Sequence, residues 1–121
     1  MTGLVLGVGM SSKATGDEVR RLVERVVETA GVGLDAVGAV ATRERFVDDE
    51  RLRLGPPVLG VADTVLLDRY PTAGPDVGDR RFGARVAEGC ALTGAGEQSE
   101  LLVATTRSAY ATAALALGTD R

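Results

Sequence analysis

The chain has 121 residues, of which 45% are hydrophobic and 26% are charged, enough for one globular domain with its own core. Its 14 basic and 17 acidic residues give a net charge of −3, whereas nucleic-acid-binding proteins usually carry an excess of positive charge. The absence of histidine excludes histidine bases and imidazole metal sites, and one cysteine cannot form an internal disulfide or a thiolate zinc site. We therefore expect a single domain over residues 1–121 with no cofactor, no resident metal and no nucleic-acid partner.

The amino-terminal apolar run, residues 4–8, is far shorter than the roughly 20 residues needed to cross a bilayer. No basic segment or cleavage site of a secretory signal surrounds it. We therefore expect a cytoplasmic protein without a membrane partner.

The first part of the chain predicts a strand, a loop and a helix in that order. Residues 4–8 are short, apolar and closed by glycine, which is typical of a buried strand. Thr15 and Glu18 have the spacing of a capping box, which predicts a helix beginning there, and Gly31 and Gly33 end it. The apolar residues of this helix recur at spacings of three and four, as on a helix with one buried side: Val19, Leu22, Val23, Val26, Val27 and Ala30.

The remainder predicts a mixed sheet with a second helix. Strand-like apolar runs occupy residues 37–42, 58–61, 101–105 and 111–117. The last two runs are too close in sequence for a parallel connection and must be antiparallel. A helix is predicted over 82–92 with Gly94 and Gly96 ending it, a short helix over 48–54, a helical turn over 63–67 and a long loop over 69–81. We expect a three-layer α/β/α sandwich with a mixed sheet of about five strands.

The loop after the first strand is the first candidate site. It contains Gly7 and Gly9 and leads through Lys13, the single lysine of the chain, to the helix start at Thr15. Backbone amides at a helix N-terminus attract anions, so a carboxylate or phosphate could bind there. The motif is neither a P-loop nor a complete dinucleotide fingerprint, because Ser12 replaces the third glycine. A tight turn with a solvated lysine is the alternative.

Three other positions carry chemistry of their own. Asp49 belongs to a cluster of charge over residues 42–45 and 48–50 after a strand end, where clustered carboxylates can bind a hard cation or act as acid and base. Glu88 lies in an otherwise apolar helix. The alternatives are a solvated, salt-bridged surface for Asp49 and plain exposure for Glu88. Arg107 at a strand end could clamp a carboxylate or belong to a simple polar hairpin loop. Cys90 has no activating neighbour and is predicted to be buried.

Four motifs in this order resemble a known family. They are Gly7-Val8-Gly9 with Lys13; Ala41-Thr42 with Asp49 and Leu52; Gly83 with Val86-Ala87-Glu88 and Ala91; and Leu102-Val103 through Arg107-Ser108 to residues 111–116. The chain resembles, over residues 4–117, the C-terminal domain of the cobalamin-biosynthesis protein CbiG and its free-standing relative CobE. It departs from the family pattern where Phe46 and Thr105 stand in place of lysines.

The resemblance implies cobalamin (vitamin B12) biosynthesis, in which the protein binds a corrin-ring precursor as an accessory or carrier. Two alternatives are a CbiG-like cobalt-precorrin-5A lactone hydrolase, with Glu88 or Asp49 activating water, and a docking module for another corrin-pathway enzyme. The implied ligand-binding residues are Gly7, Gly9, Lys13, Thr15, Thr42, Asp49, Glu88 and Arg107.

The binding hypothesis makes a geometric prediction. Gly9, Thr42, Glu88 and Arg107 should surround one concavity at an edge of the sheet, where amides and cations can hold the carboxylates of the precursor. Since only 3% of the residues are aromatic, aliphatic side chains and glycine backbone are expected to contact the corrin ring.

Overall fold

The computed structural model describes residues 2–62, 86–96 and 99–119. The elements in chain order are β1 (Thr2–Met10), α1 (Gly16–Thr29), β2 (Val37–Arg43), β3 (Val58–Val61), α2 (Val86–Ala95), β4 (Ser99–Arg107) and β5 (Ala111–Thr119). Short 3₁₀ helices occupy Leu34–Ala36, Glu44–Phe46 and Glu50–Leu52. The predictions for 63–67, 69–81 and the first four residues of 82–92 lie outside the described residues.

The predicted mixed sheet is confirmed, with the strand order β3-β2-β1-β5-β4. The three strands β1, β2 and β3 run parallel, and β5 is antiparallel to both β1 and β4. Met10 at the end of β1 pairs with Ala111 at the start of β5, and Arg107 at the end of β4 pairs with Thr112. The ends of β1, β2 and β4 and the start of β5 therefore share one edge, which we call the carboxyl edge of the sheet.

Helices α1 and α2 cover opposite faces of this sheet, which confirms the three-layer architecture. Successive residues of a strand point to opposite faces, and β1 follows this rule. Leu6 and Val8 belong to the core beneath α1, whereas Val5 belongs to the core beneath α2. In the parts that the structure describes, neither helix is long and apolar enough to cross a membrane.

Helix α1 forms as its sequence predicts. The Thr15 side chain accepts a hydrogen bond from the Glu18 amide at 3.1 Å and so caps the helix. The predicted apolar side is buried at Val19, Leu22, Val23, Val26 and Val27. Gly31 follows the helix with φ +76°, a conformation that glycine adopts without a steric penalty.

Helix α2 departs from its sequence prediction at two positions. Gly94 does not end the helix but lies within it, where α2 packs so closely on β1 that an added Cβ would lie only 2.9 Å from Val5 Cγ1. Gly96, with φ +110°, follows the last helical residue. The alternative interpretation of Glu88 as a plainly exposed side chain is wrong: Glu88 is half-buried and accepts a hydrogen bond from the Thr105 amide at 2.9 Å. The short helix predicted over 48–54 is also limited to the 3₁₀ helix Glu50–Leu52.

Candidate functional site

A cavity of about 570 Å³ opens at the carboxyl edge of the sheet. Its size lies within the range of about 300–1,000 Å³ that is usual for small-molecule sites. Its lining comes from the end of β1, the turns after β2, the first residue of α2 and the β4–β5 hairpin: Gly9, Met10, Ser11, Ser12, Arg43, Arg45, Phe46, Arg51, Val86, Arg107, Ser108, Ala109, Tyr110, Ala111 and Thr112.

Four arginines are among the described residues that line this cavity, although the whole chain has a net charge of −3. They are Arg43 at the end of β2, Arg45 and Arg51 in the turns that follow, and Arg107 at the end of β4. None of the described lining residues is aspartate or glutamate. Because a guanidinium remains charged and can bind a carboxylate through two parallel hydrogen bonds, the lining suits a ligand with several carboxylates.

The four arginines differ in their exposure and contacts. Arg43 is buried, with a relative exposure of 6%, whereas Arg45 and Arg107 are exposed. The Arg45 guanidinium lies 4.7 Å from the centre of the Phe46 ring, within the distance of a cation–π contact. Arg45 and Arg107 are therefore the arginines best placed to meet a ligand that arrives from solvent.

Arg51 has a structural partner in Asp49. Its Nε and Nη2 donate to the two Asp49 carboxylate oxygens at 2.9 and 2.7 Å, and its Nη1 donates to the carbonyl oxygens of Ser11 and Ala14 at 2.9 and 2.8 Å. The guanidinium holds the pKa of Asp49 below its ordinary value, and the carboxylate raises the pKa of Arg51. Arg51 thus fastens the β1–α1 loop to the turn that contains Asp49.

Glu18 makes a corresponding link on the other side of the cavity. Its Oε2 accepts hydrogen bonds from the Ser108 hydroxyl at 2.5 Å and from the Tyr110 amide at 2.6 Å. The pKa of Glu18 lies below its ordinary value, chiefly because of the Ser108 hydrogen bond and then because of the Tyr110 amide. The Ser11 amide donates to the Tyr110 carbonyl at 2.9 Å, so the β4–β5 hairpin also contacts the β1–α1 loop.

Both aromatic side chains in the described part of the chain line the cavity. Phe46 follows β2 and Tyr110 precedes β5, so the two aromatic residues lie on either side of the end of β1. Tyr110 is 46% exposed, and the Lys13 Nζ lies 5.8 Å from the centre of its ring. The low aromatic content led us to expect only aliphatic and glycine contacts to a ring, but these two aromatic side chains are concentrated at the cavity.

The structure brings some of the predicted site residues together. Gly9 and Arg107 line the same cavity, and Lys13 adjoins it through the Tyr110 ring. Glu88 is not among the lining residues; its contact with the Thr105 amide places it beside β4, two residues before Arg107. Their role in ligand binding stays a prediction.

Other predicted site residues have structural contacts instead. Thr42 is fully buried and donates its hydroxyl hydrogen to the Val8 carbonyl at 2.9 Å, which joins β2 to β1 beneath the cavity. Gly7 lies against α2, where an added Cβ would overlap the Ala87 carbonyl oxygen. Thr15 caps α1, and Asp49 holds Arg51. None of these residues is among those that line the cavity.

Arg43, Arg45 and Tyr110 were not predicted to bind a ligand. The charged segment after the second strand was noticed but interpreted through its carboxylates, although Arg43 and Arg45 are the residues of that segment that line the cavity. One signal was available: the ends of neighbouring parallel strands meet at one edge, and ligand sites form at such edges.

The comparisons with known proteins agree with this fold. Residues 4–116 match the family model described as the cobalamin synthesis G C-terminus. The chain belongs to this family. The protein CobE of Sinorhizobium sp. is 34% identical to it in an alignment 122 positions long, which covers 94% of this chain and 79% of that relative. The chain is therefore a CobE-like protein of cobalamin biosynthesis.

Solved structures of CobE and of related proteins have the same fold. The crystal structure of CobE, a protein from the cobalamin (vitamin B12) biosynthetic pathway, has a TM-score of 0.82 and 28% identity and covers 99% of this chain and 94% of that one. The cobalamin biosynthesis protein chiG from Agrobacterium tumefaciens has a TM-score of 0.70 at 23% identity, with 97% and 99% of the two chains covered. At that identity, the second likeness concerns the fold alone.

Proposed function

We propose that the cavity at the carboxyl edge binds a corrin-ring precursor and that the protein acts as an accessory or carrier of this intermediate. The observation that carries the proposal is a lining that presents the exposed Arg45 and Arg107 and, among its described residues, no carboxylate. Corrin precursors have acetate and propionate groups around a flat ring. A charge-assisted hydrogen bond contributes roughly 1.5–3 kcal/mol, so pairing of Arg45 and Arg107 with two of these carboxylates would favour an anionic ligand over a neutral one.

The two aromatic side chains suit the ring of such a ligand. Because β2 and β5 both neighbour β1, the ends that lead to Phe46 and Tyr110 are about 10 Å apart. A flat conjugated ring lying across the end of β1 would contact both aromatic side chains, while Arg45 and Arg107 pair with its peripheral carboxylates. The ligand would thus be recognised by its apolar ring and its anionic rim together.

The contacts of the two acidic candidates favour binding over lactone hydrolysis. A general base must reach the attacking water and works best with a pKa near the working pH. Asp49 is paired with Arg51, which lowers the pKa of Asp49 further from neutrality, and Glu88 accepts the Thr105 amide. Neither carboxylate lines the cavity.

Equilibrium dialysis against a matched pair of corrins tests the proposal. Dicyanocobyrinic acid carries free carboxylates, whereas dicyanocobinamide has the same ring with the carboxylates converted to amides, and the visible absorbance of the ring measures both. We expect micromolar binding of the acid, at least tenfold weaker binding of the amide, and weakening of the acid complex by salt. No binding of the acid, or equal binding of both, would contradict the proposal.

Substitution of the exposed arginines locates the binding. Arg45→Ala and Arg107→Ala should each raise the Kd for dicyanocobyrinic acid about tenfold, because each removes a charge-assisted contact. Arg25→Ala removes an exposed arginine from α1, away from the cavity, and serves as the matched control. If all three variants weaken binding equally, the acid binds by general charge attraction rather than in this cavity.

A further inference from the structure

Glu18 contacts two residues of the cavity wall without belonging to the wall itself. It lies in the first turn of α1 and is absent from the cavity lining. Its Oε2 nevertheless accepts from the Ser108 hydroxyl and from the Tyr110 amide, and both of these residues line the cavity. One carboxylate oxygen therefore joins a helix to a hairpin about 90 residues later in the chain.

These contacts exceed what helix capping requires. The amide of Glu18 already donates to Thr15, and this hydrogen bond caps the helix whether or not the Glu18 side chain is ionised. The Glu18 carboxylate also accepts from the Thr15 backbone, as in a capping box, and in addition it supplies an acceptor for the Tyr110 amide. Hydrogen bonds to an ionised acceptor are stronger than neutral ones, so two such bonds on one carboxylate hold the hairpin firmly.

The hairpin loop depends on such contacts from outside. The loop comprises Ser108, Ala109 and Tyr110 between β4 and β5, and Ala109 and Tyr110 are exposed. The Ser108 amide donates to the Ala111 carbonyl within the hairpin, whereas the Tyr110 amide and carbonyl bind Glu18 and the Ser11 amide respectively. The backbone of Tyr110 is thus held between α1 and the β1–α1 loop.

We propose that Glu18 is a positioning residue of the ligand site: its carboxylate fixes the Ser108–Tyr110 loop as one wall of the cavity. Glu18 does not touch the ligand, and it acts through the position of Tyr110 and of the neighbouring Arg107. The identity of the ligand rests on the proposed function, whereas the fixing of the loop can be measured without any ligand.

Amide hydrogen exchange in the ligand-free protein tests whether Glu18 fixes the Ser108–Tyr110 loop. We expect the Tyr110 amide to be protected in the wild type and to exchange about tenfold faster or more in Glu18→Ala, because the lost contact is charge-assisted. The amides of β1 and β5 should keep their protection, which separates loosening of the loop from general destabilisation. Glu24→Ala, an exposed glutamate of the same helix, should leave the Tyr110 amide unchanged.

The functional half uses dicyanocobyrinic acid as the probe. Glu18→Ala should raise its Kd about tenfold, since the wall then has to be ordered on binding. Glu18→Gln keeps an acceptor oxygen without the charge and should restore part of both the exchange protection and the affinity. If Glu18 only stabilised the fold, the variants would contain less folded protein, but the folded molecules of both variants would bind the probe with the wild-type Kd.

The outcomes separate this proposal from the proposed function. Unchanged Tyr110 protection in Glu18→Ala would overturn the positioning role, and so would faster exchange with an unaltered Kd. If the wild type does not bind the probe, the proposed function is contradicted, and the exchange measurement alone decides whether Glu18 fixes the loop. Should Glu18→Ala not fold, the same measurements on Glu18→Gln decide. Its Tyr110 amide must then exchange measurably faster, and its Kd must be measurably higher, than in the wild type.

Discussion

The two faces of the sheet are packed by different means. Beneath α1 the core is filled by branched aliphatic side chains such as Leu6, Val8 and Leu22. Beneath α2 small residues allow the backbones themselves to approach: an added Cβ on Gly7 would overlap the Ala87 carbonyl, and one on Gly118 would overlap the Ala95 carbonyl. The α1 face is therefore sensitive to loss of side-chain volume, and the α2 face to its gain.

The difference also bears on the carboxyl edge. Val86, the first residue of α2, lines the cavity and lies 3.2 Å from where a Cβ of Gly9 would be, so close packing of α2 sets that part of the wall. Helix α1 acts at a distance through the Glu18 carboxylate. One helix thus shapes the site by its proximity and the other by hydrogen bonds.

The largest expected loss of stability follows from removing side-chain volume on the α1 face. Leu22→Ala should lower the free energy of unfolding by about 2–5 kcal/mol, because Leu22 is only 1% exposed and its removal leaves a cavity in the core. Urea denaturation measures the change, and Arg21→Ala on the exposed side of the helix should stay within about 0.5 kcal/mol of the wild type. A loss below about 1 kcal/mol for Leu22→Ala would mean that this face is loosely packed.

Gain of volume on the α2 face should come next. Gly7→Ala should lower the free energy of unfolding by an amount close to the upper end of the usual range of about 1–3 kcal/mol for overpacking. The new methyl group would meet backbone atoms, which cannot rotate away as a side chain can. Gly3→Ala is the matched control on the same strand, because nothing lies within 4 Å of its added Cβ.

A second substitution sharpens this test. Ala91→Gly removes the Cβ that would lie 2.9 Å from the new methyl group of Gly7→Ala, but it leaves the Ala87 carbonyl in place. The double variant should therefore recover only part of the lost stability. Full recovery would show that side-chain crowding, rather than close approach of backbones, governs this face.

A smaller effect is expected at the cap of α1. Thr15→Ala should lower the free energy of unfolding by about 1 kcal/mol through loss of the contact with the Glu18 amide. The Kd for dicyanocobyrinic acid should not change, because Thr15 is absent from the cavity lining. A large loss of affinity with unchanged stability would instead support the ligand-binding role predicted from the sequence.

The smallest expected change in stability is a decline at low pH that comes from carboxylates on the α1 side of the sheet. The pKa values of Glu18 and Asp49 lie below their ordinary values of 4.5 and 3.8. Each ionised carboxylate therefore stabilises the fold fully above its ordinary pKa, and this contribution is lost as the pH falls through the lower folded-state pKa. Unfolding in urea between about pH 5 and pH 2.5 should show declining stability, with a shallower decline in Glu18→Gln. An equal slope in both proteins would contradict the assignment to Glu18.

Features of the fold that arise from neighbouring residues were predictable from the sequence. The Thr15 cap and the apolar side of α1 lie within one segment, so the local sequence pattern was sufficient to predict this helix. Gly94 shows why α2 was harder: a glycine near a helix end can terminate the helix or admit a close neighbour, and only the contact with Val5 decides. The half-burial of Glu88 likewise depends on Thr105, 17 residues away.

The site was less predictable because strand pairing assembles it. Arg45 and Arg107 lie far apart in sequence and line one cavity because β2 and β4 both end at the carboxyl edge. The role of Arg51 in fastening the β1–α1 loop joins residues about 40 positions apart, which no local motif indicates. The loop after β1 and Arg107 were predicted as site residues, whereas Arg43 and Arg45 were noticed only as part of a charged segment.

Mapping of the bound corrin by amide chemical shifts tests most directly the claim that this cavity takes a polycarboxylate ring. On addition of dicyanocobyrinic acid, the account predicts that the largest shifts cluster in residues 9–12, 45–46 and 107–112, which line the cavity. Shifts concentrated at the opposite edge of the sheet, around Gly3, Gly38 and Gly118, or no shifts at saturating probe, would contradict it.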